Sequence, residues 1–498
     1  MSFNSLVFLI YLPIVLLLYY GLPHKFRWIM LLVASYFFYA YFDFKLVFLI
    51  LLTTAVSYFG GLLIERTNNQ LHKKLYCIVA VGVSLAVLAI FKYFNFALDS
   101  IVSLINAFGG NVEGVFVKLI LPVGISFYTF QTLSYVIDVY RGTIKAEKHF
   151  GYYALFVSFF PQLVAGPIER PENLLPQLKA ENKFDMDNIK QGFTLAAVGF
   201  VKKVAIADTI AVFVNSVYNS TSPESISALS VIVATLLFVV QVYCDFSGYS
   251  DIATGCAKMM GIDLMVNFNK PFKAQSVTEF FNRWHISLSS WFNDYVYLPL
   301  AYKSIGKKNM RLRHCLNIML VFFLSGLWHG AAWTYVIWGC LNGFYQVVES
   351  LLRKPIDNWY YNHKNVNRNA TWRVALRTVT TFLVTAFTLI FFRANSVGNA
   401  FTFIGNLFAN WSLHEGYWQQ FLTETTLTAE YAVVVVLAIA LLFFIDNMGS
   451  FPRGKNVLGE GTKVLWNTSF IYMVWLIVAT WVLLIASGQS SVFIYFQF

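Results

Sequence analysis

Residues 228–256 read ALSVIVATLLFVVQVYCDFSGYSDIATGC, without a charged side chain before Asp245. A helix needs about 20 consecutive apolar residues to cross the hydrocarbon core of a bilayer. This run meets that length, so it is read as a membrane span. Comparable runs recur at 6–20, 28–42, 46–64, 75–94, 115–137, 192–214, 374–392, 430–446 and 468–488. Two further regions, 151–168 and 285–348, are broken by Pro, Gly and polar residues. They read as re-entrant segments plus at least one helical hairpin. The expectation is an all-α polytopic membrane protein with roughly eleven spans.

Composition supports the same reading. Of the 498 residues, 58% are hydrophobic and 12% charged, about half the charge of a usual soluble domain. A surface so poor in polar groups must face lipid. Aromatic residues reach 18%, which interfacial belts account for in large part. The net charge of +11 does not point to nucleic acid, because Lys and Arg gather in short loops between apolar runs. By that rule the loops with Lys73 and Lys74, with Arg141, Lys145 and Lys148, with Lys303 to Arg313 and with Arg353 to Arg368 face the cytoplasm. The run Leu6 to Tyr20 has no basic leader and no small-residue cleavage site, and reads as a retained span. Cys77, Cys244, Cys256, Cys315 and Cys340 lie singly, which supports neither a disulfide framework nor a zinc site.

The stretch 258–299 departs from ordinary span chemistry, being polar, aromatic and punctuated by proline. Irregular backbone at membrane depth is tolerated where protein or a water-filled cavity covers it. This stretch is therefore the candidate wall of a cavity opening to the cytoplasm.

Six of the eight histidines (His24, His72, His149, His314, His363 and His414) sit in or beside charged loops. The other two do not. His329 lies in LSGLWHGAAW (324–333), where small residues allow close approach and Trp328 and Trp333 flank the ring. His285 lies in FNRWHISLSSW (281–291). An imidazole in a membrane could serve as an interhelical hydrogen bond or as a general base, since its charge changes near neutral pH. Ionisable groups at such depth are functional candidates. Asp245 and Asp251 are six residues apart and do not share a helix face as an i,i+4 pair would. Hydrogen bonding to backbone, or orientation of a histidine or arginine, suits them better than paired acid/base work. Two carboxylates are too few for a hard cation, and no metal site is expected.

Five stretches together resemble the membrane-bound O-acyltransferase (MBOAT) family, in its bacterial branch typified by alginate O-acetyltransferase membrane subunits. They are LPVGISFYTFQTLSYVIDVYRG (121–142), FFPQLVAGPIERP (159–171), CDFSGYSDIATG (244–255), NFNKPFKAQSVTEFFNRWHISLSSW (267–291) and LSGLWHGAAWTYVIWG (324–339). The resemblance implies an MBOAT-type helical bundle with a central tunnel, as a single domain. Its N-terminal spans would cover about 1–114, its catalytic core 115–392, and its C-terminal spans and exported tail 393–498. It also implies a multi-pass protein of the bacterial cell (inner) membrane that moves an acyl group, by analogy acetyl, from a cytosolic thioester to a hydroxyl outside. Acetyl-coenzyme A or an acyl carrier protein would be the donor, with no tightly bound cofactor. A separate extracytoplasmic acyltransferase would be the partner, and an exported polysaccharide or peptidoglycan the acceptor.

The family's essential histidine corresponds to His329 and its second to His285. His329 suits a general base acting on an activated thioester. His285, Asn282 or the Trp328 indole could orient that base or donate to the carbonyl oxygen. Trp284, Asp245 and Asp251 are candidates for lining or orienting the site. No GxSxG elbow supports a serine route. The tail FIYFQF (493–498) resembles the aromatic–Tyr–aromatic motif of a partner peptide in teichoic acid D-alanylation, which makes Tyr495 a candidate acyl relay. Two alternatives are carried: D-alanyl transfer to teichoic acid, and a proton-coupled transporter or channel using intramembrane His and Asp. The transporter reading calls for internal repeats, and none is visible.

Overall fold

The computed structural model describes residues 1–447, apart from 115, 118, 120, 364, 365 and 413–415. Among the described residues the regular structure is helical and no strand occurs. Among the described residues six helices are long and apolar enough to cross a membrane: Phe44–Arg66, Gln70–Ala107, Ala228–Met259, Met310–His329, Thr371–Arg393 and Ala429–Asn447. Five coincide with runs read from the sequence, and the sixth, Met310–His329, is the first arm of the expected hairpin. Large apolar side chains such as Leu17, Val33, Phe48, Leu320 and Val436 stand exposed on helix faces, as lipid contact requires.

Other apolar runs form shorter or irregular elements, for local reasons. Leu6–Gly21 has 16 residues and carries Pro13. Within the run at 115–137 a helix starts at Ile125, after Pro122 and Gly124. Gly124 sits at φ +76°, and a Cβ there would overlap the carbonyl oxygen of Leu163, so only glycine makes that turn. The run at 192–214 is two helices, Met186–Phe200 and Asp208–Tyr218, joined by a π-helical stretch at Val201–Ala207. The expected span at 468–488 lies outside the described residues.

The described chain divides into two compact units: residues 1–199 with 249–266, and residues 200–248 with 267–447. In the first, the buried carboxylate of Glu169 accepts from Asn173 Nδ2 at 2.7 Å and from the Met265 N–H. Gln177 Nε2 donates to the Asp263 carbonyl at 3.0 Å, and Asp263 N–H returns to Gln177 Oε1 at 2.8 Å. The AGPIERP turn and the segment after Met259 are thus held by polar bonds.

In the second unit, the expected hairpin consists of Met310–His329 and Trp333–Asn362. Its arms meet through glycine. A Cβ on Gly326 would overlap the Tyr335 carbonyl oxygen, and one on Gly339 would overlap the Phe322 carbonyl oxygen. Small residues let helix backbones approach where lipid removes the hydrophobic drive for association. Thr371–Arg393 packs against the second arm.

Candidate active site

His329 is the last residue of Met310–His329. Gly330 then turns extended (φ −169°, ψ 155°), and the next helix starts three residues later at Trp333. The imidazole is buried, between the rings of Trp338 at 4.8 Å and Phe392 at 5.3 Å, both edge-on. Helix C-termini carry partial negative charge, and this ring stands at that end of its helix.

His285 arrives by a different device. Ser276 caps the helix Val277–Arg283, its Oγ accepting from Glu279 N–H at 3.1 Å, and Glu279 Oε2 reaches back past the cap to accept from Gln275 N–H at 2.9 Å. The helix ends at once. His285 follows in the left-handed region (φ 45°, ψ 52°) and begins the helix Ile286–Phe292. Such a conformation costs roughly 1–3 kcal/mol for a residue with a Cβ and persists where its surroundings impose it. Here the segment 267–269 imposes it. Ile286 N–H donates to the Asn267 carbonyl at 2.9 Å, and Asn269 N–H to the Arg283 carbonyl at 2.9 Å.

The Asn267 side chain completes the clasp. Its Oδ1 accepts from Ser287 N–H at 3.2 Å, from Ser287 Oγ at 2.8 Å and from His285 Nδ1 at 3.2 Å. A backbone N–H can only donate, so the atom facing it is oxygen, and the His285 proton therefore sits on Nδ1. In the neutral ring Nε2 keeps its lone pair.

The two imidazoles converge although 44 residues separate them in the chain, with ring centroids 6.4 Å apart. Trp328 stands by both, 5.5 Å from His285 and 5.1 Å from His329, and Phe246 lies 4.5 Å from His285. His329, but not His285, lines a small cavity. Phe280, Phe281, Trp284, Trp338, Leu389 and Phe392 form its apolar wall, and Asn342, Thr385 and Thr388 its polar side. The proline-punctuated stretch 258–299 thus supplies part of a cavity wall, through Phe280, Phe281 and Trp284. All of these residues belong to the second unit.

Other candidates fall elsewhere. Asn282 is exposed and is not in the cavity lining. Asp245 is buried and pairs with Lys203 at 2.6 Å, while Lys203 also meets Asp208 at 2.8 Å. Its charged partner is therefore a lysine, where the sequence suggested histidine or arginine. Lys203 was missed because it lies inside an apolar run, and the π-helical register at 201–207 carries it. Asp251 is half-buried and belongs to the first unit. Tyr495 lies outside the described residues. Asn267, Ser287, Trp338, Asn342 and Phe392 were not singled out beforehand. The Asn267–Phe268–Asn269 triplet and the lone Asn342 in an apolar helix were the only signals. Among the described residues no group of three or more His, Cys, Asp and Glu is placed to hold a metal.

The fold and the site define an integral membrane protein with a buried imidazole pair, one member of which opens on an apolar cavity. The chain belongs to the membrane-bound O-acyltransferase family, whose sequence model matches residues 147–392 and so contains both histidines. It is 35% identical to the probable alginate O-acetylase AlgI of Pseudomonas putida, over 100% of both chains. It is 34% identical to a peptidoglycan O-acetyltransferase of Helicobacter pylori, over 74% of this chain and 71% of the relative. It is 31% identical to a teichoic acid D-alanyltransferase of Bacillus subtilis, over 53% of this chain and 67% of the relative. The protein is an acyltransferase and a multi-pass protein of the bacterial cell membrane.

Proposed function

We propose that this protein transfers an acetyl group from a cytosolic thioester to a hydroxyl of an exported polysaccharide or cell-wall polymer, with His329 as general base. The supporting observation is the His329 imidazole at a helix end, lining an apolar cavity, with a second imidazole 6.4 Å away. The acetyl group is favoured over D-alanyl because similarity to O-acetylases spans the whole chain, whereas that to a D-alanyltransferase spans about half of it.

In this reading His329 takes the proton of the acceptor hydroxyl as its oxygen attacks the thioester carbonyl. The tetrahedral intermediate collapses, the C–S bond breaks and the C–O bond remains. The thiolate then recovers the proton from the imidazolium. His285, its proton held on Nδ1 by Asn267, offers a lone pair rather than a donor. It suits positioning of the hydroxyl or of His329 better than binding an oxyanion. The Trp328 indole N–H is the better oxyanion donor of the two.

Acetyl-coenzyme A or an acetylated carrier protein is the donor in this scheme, and an extracytoplasmic acyltransferase the partner that completes delivery. Tyr495 is proposed as the relay that carries the acyl group as an ester to that partner. Tyr495→Phe should then end acyl export while leaving the protein folded, and full export by that variant would sink the relay.

The decisive test is thiol release from labelled acetyl-coenzyme A or acetyl carrier protein by the purified protein. His329→Ala should abolish it; normal turnover by that variant would remove His329 from the chemistry.

A further inference from the structure

The basic loops read as cytoplasmic differ in how their charge is relieved. Glu65 flanks the connection that leads to Lys73 and Lys74, Glu147 lies in the loop at 141–148, and Asp357 pairs with Arg368 in the loop at 353–368. The loop at 303–313 has no such relief. Lys303, Lys307, Lys308, Arg311 and Arg313 fall within it, and no Asp or Glu occurs from 295 to 348. All five cations are exposed, and among the described residues none of them forms an ion pair. The loop is also shaped. Gly306 and Asn309 stand in the left-handed region (φ 71° and 63°), Lys307 N–H donates to the Ser304 carbonyl at 3.2 Å, and Arg313 Nε donates to the Lys308 carbonyl at 3.4 Å. The helix Met310–His329 then begins with Arg311 and Arg313 in its first turn and no acid there. Cations at a helix start meet the positive end of its dipole, so a charge already concentrated is disfavoured further until an anion arrives.

Apolar side chains are interleaved with these cations. Tyr302, Ile305 and Leu312 are exposed among them, and Leu312, Leu316 and Leu320 form an exposed stripe at helical spacing down the membrane span. A soluble acidic partner would answer the charge and leave that apolar surface in water, and so would free phosphate. A phospholipid answers both parts, with its headgroup on the cations and its acyl chain on the leucines. We infer that the loop at 303–313 binds an anionic phospholipid of the cytoplasmic leaflet, its acyl chain lying along Leu312, Leu316 and Leu320. The bound lipid holds one end of the helix whose other end is His329.

The test reads lipid binding alone, so its outcome does not depend on the acyl chemistry. The full chain is reconstituted in nanodiscs of phosphatidylcholine and phosphatidylglycerol, and the lipid it keeps on release is counted by native mass spectrometry. Wild type should keep phosphatidylglycerol over phosphatidylcholine by about tenfold, and lose most of that preference at about 0.5 M salt. Removing four cations here, as Lys303→Gln, Lys307→Gln, Lys308→Gln, Arg311→Gln, should bring the preference close to parity. Removing four elsewhere, as Lys73→Gln, Lys74→Gln, Lys145→Gln, Lys148→Gln, should change it by less than about twofold. An unfolding temperature in pure phosphatidylcholine equal to that of wild type shows that each variant is folded. Should the first variant not fold, two wild-type measurements decide. The preference should fall with salt, and glycerol phosphate, which has the charge without the chain, should not displace the lipid. A preference unchanged in the first variant, an equal loss in both variants, insensitivity to salt, or displacement by glycerol phosphate would each overturn the inference.

Discussion

Asn267 Oδ1 and His285 Nδ1 lie 3.2 Å apart, and because the same oxygen also receives the Ser287 N–H, the pair fixes which ring nitrogen bears the proton. One asparagine thereby sets the backbone turn, the ring orientation and the tautomer of the second histidine. A residue that does all three acts on the rate through another side chain.

Asn267→Ala should therefore lower kcat by about ten- to a hundredfold with little change in KM, since misplacement near the reacting atoms costs about that much. Asn267→Asp retains an acceptor for His285 and Ser287 and should recover most of the loss. Steady-state thiol release for the three proteins checks this. An unchanged kcat in Asn267→Ala would show that the ring needs no such hold.

Lys203 stands between two buried carboxylates, Asp208 and Asp245. Lys203→Met removes the cation that both carboxylates share and should cost about 3–5 kcal/mol, read as loss of monodisperse protein after extraction. Asp245→Asn keeps the Asp208 pair and should be milder. The neutral triple variant Lys203→Met, Asp208→Asn, Asp245→Asn should recover folded protein, because the two carboxylates lose their charge together with the cation. Equal damage from all three proteins would mean that shape, not charge, is what the cluster supplies.

Burial pushes the Glu169 carboxyl up to about 7, against hydrogen bonds from Asn173 and Met265 that pull the other way. A folded-state pKa above the unfolded value means the native state holds the proton longer. The stabilising contribution is complete below about pH 4.5 and is lost as pH rises through about 7. Thermal unfolding in detergent should show the wild-type protein losing stability relative to Glu169→Gln between pH 5 and 7.5, and no further loss above. A difference that stays flat across that window would refute the shifted carboxyl.

The main architecture was legible because lipid imposes a simple length and polarity rule on helices. Ala228–Met259, Thr371–Arg393 and Ala429–Asn447 match their apolar runs to within a few residues. His329 was legible for a related reason: a titratable ring stands out where nearly everything else is apolar. Its juxtaposition with His285 came from resemblance, since nothing local in the sequence brings residues 44 apart together. Asn267 and Lys203 were not legible. Asn267 works through a turn whose partner lies 18 residues on, and Lys203 is hidden in a run whose helical register slips by a π turn. Asp245 was recognised as a group needing a partner, but periodicity on its own helix could not name a lysine on another.

The close backbone contacts at Gly326 and Gly339 fix how the two hairpin arms approach, and those arms carry His329, Trp338 and Asn342 to the cavity. Phe280, Phe281, Leu389 and Phe392 line the same cavity from other elements. Divergence among enzymes of this kind therefore has one adjustable wall. A change of acyl size is to be sought, in natural variation or in directed evolution, at those four positions, while the His329 hairpin behaves as a fixed jaw.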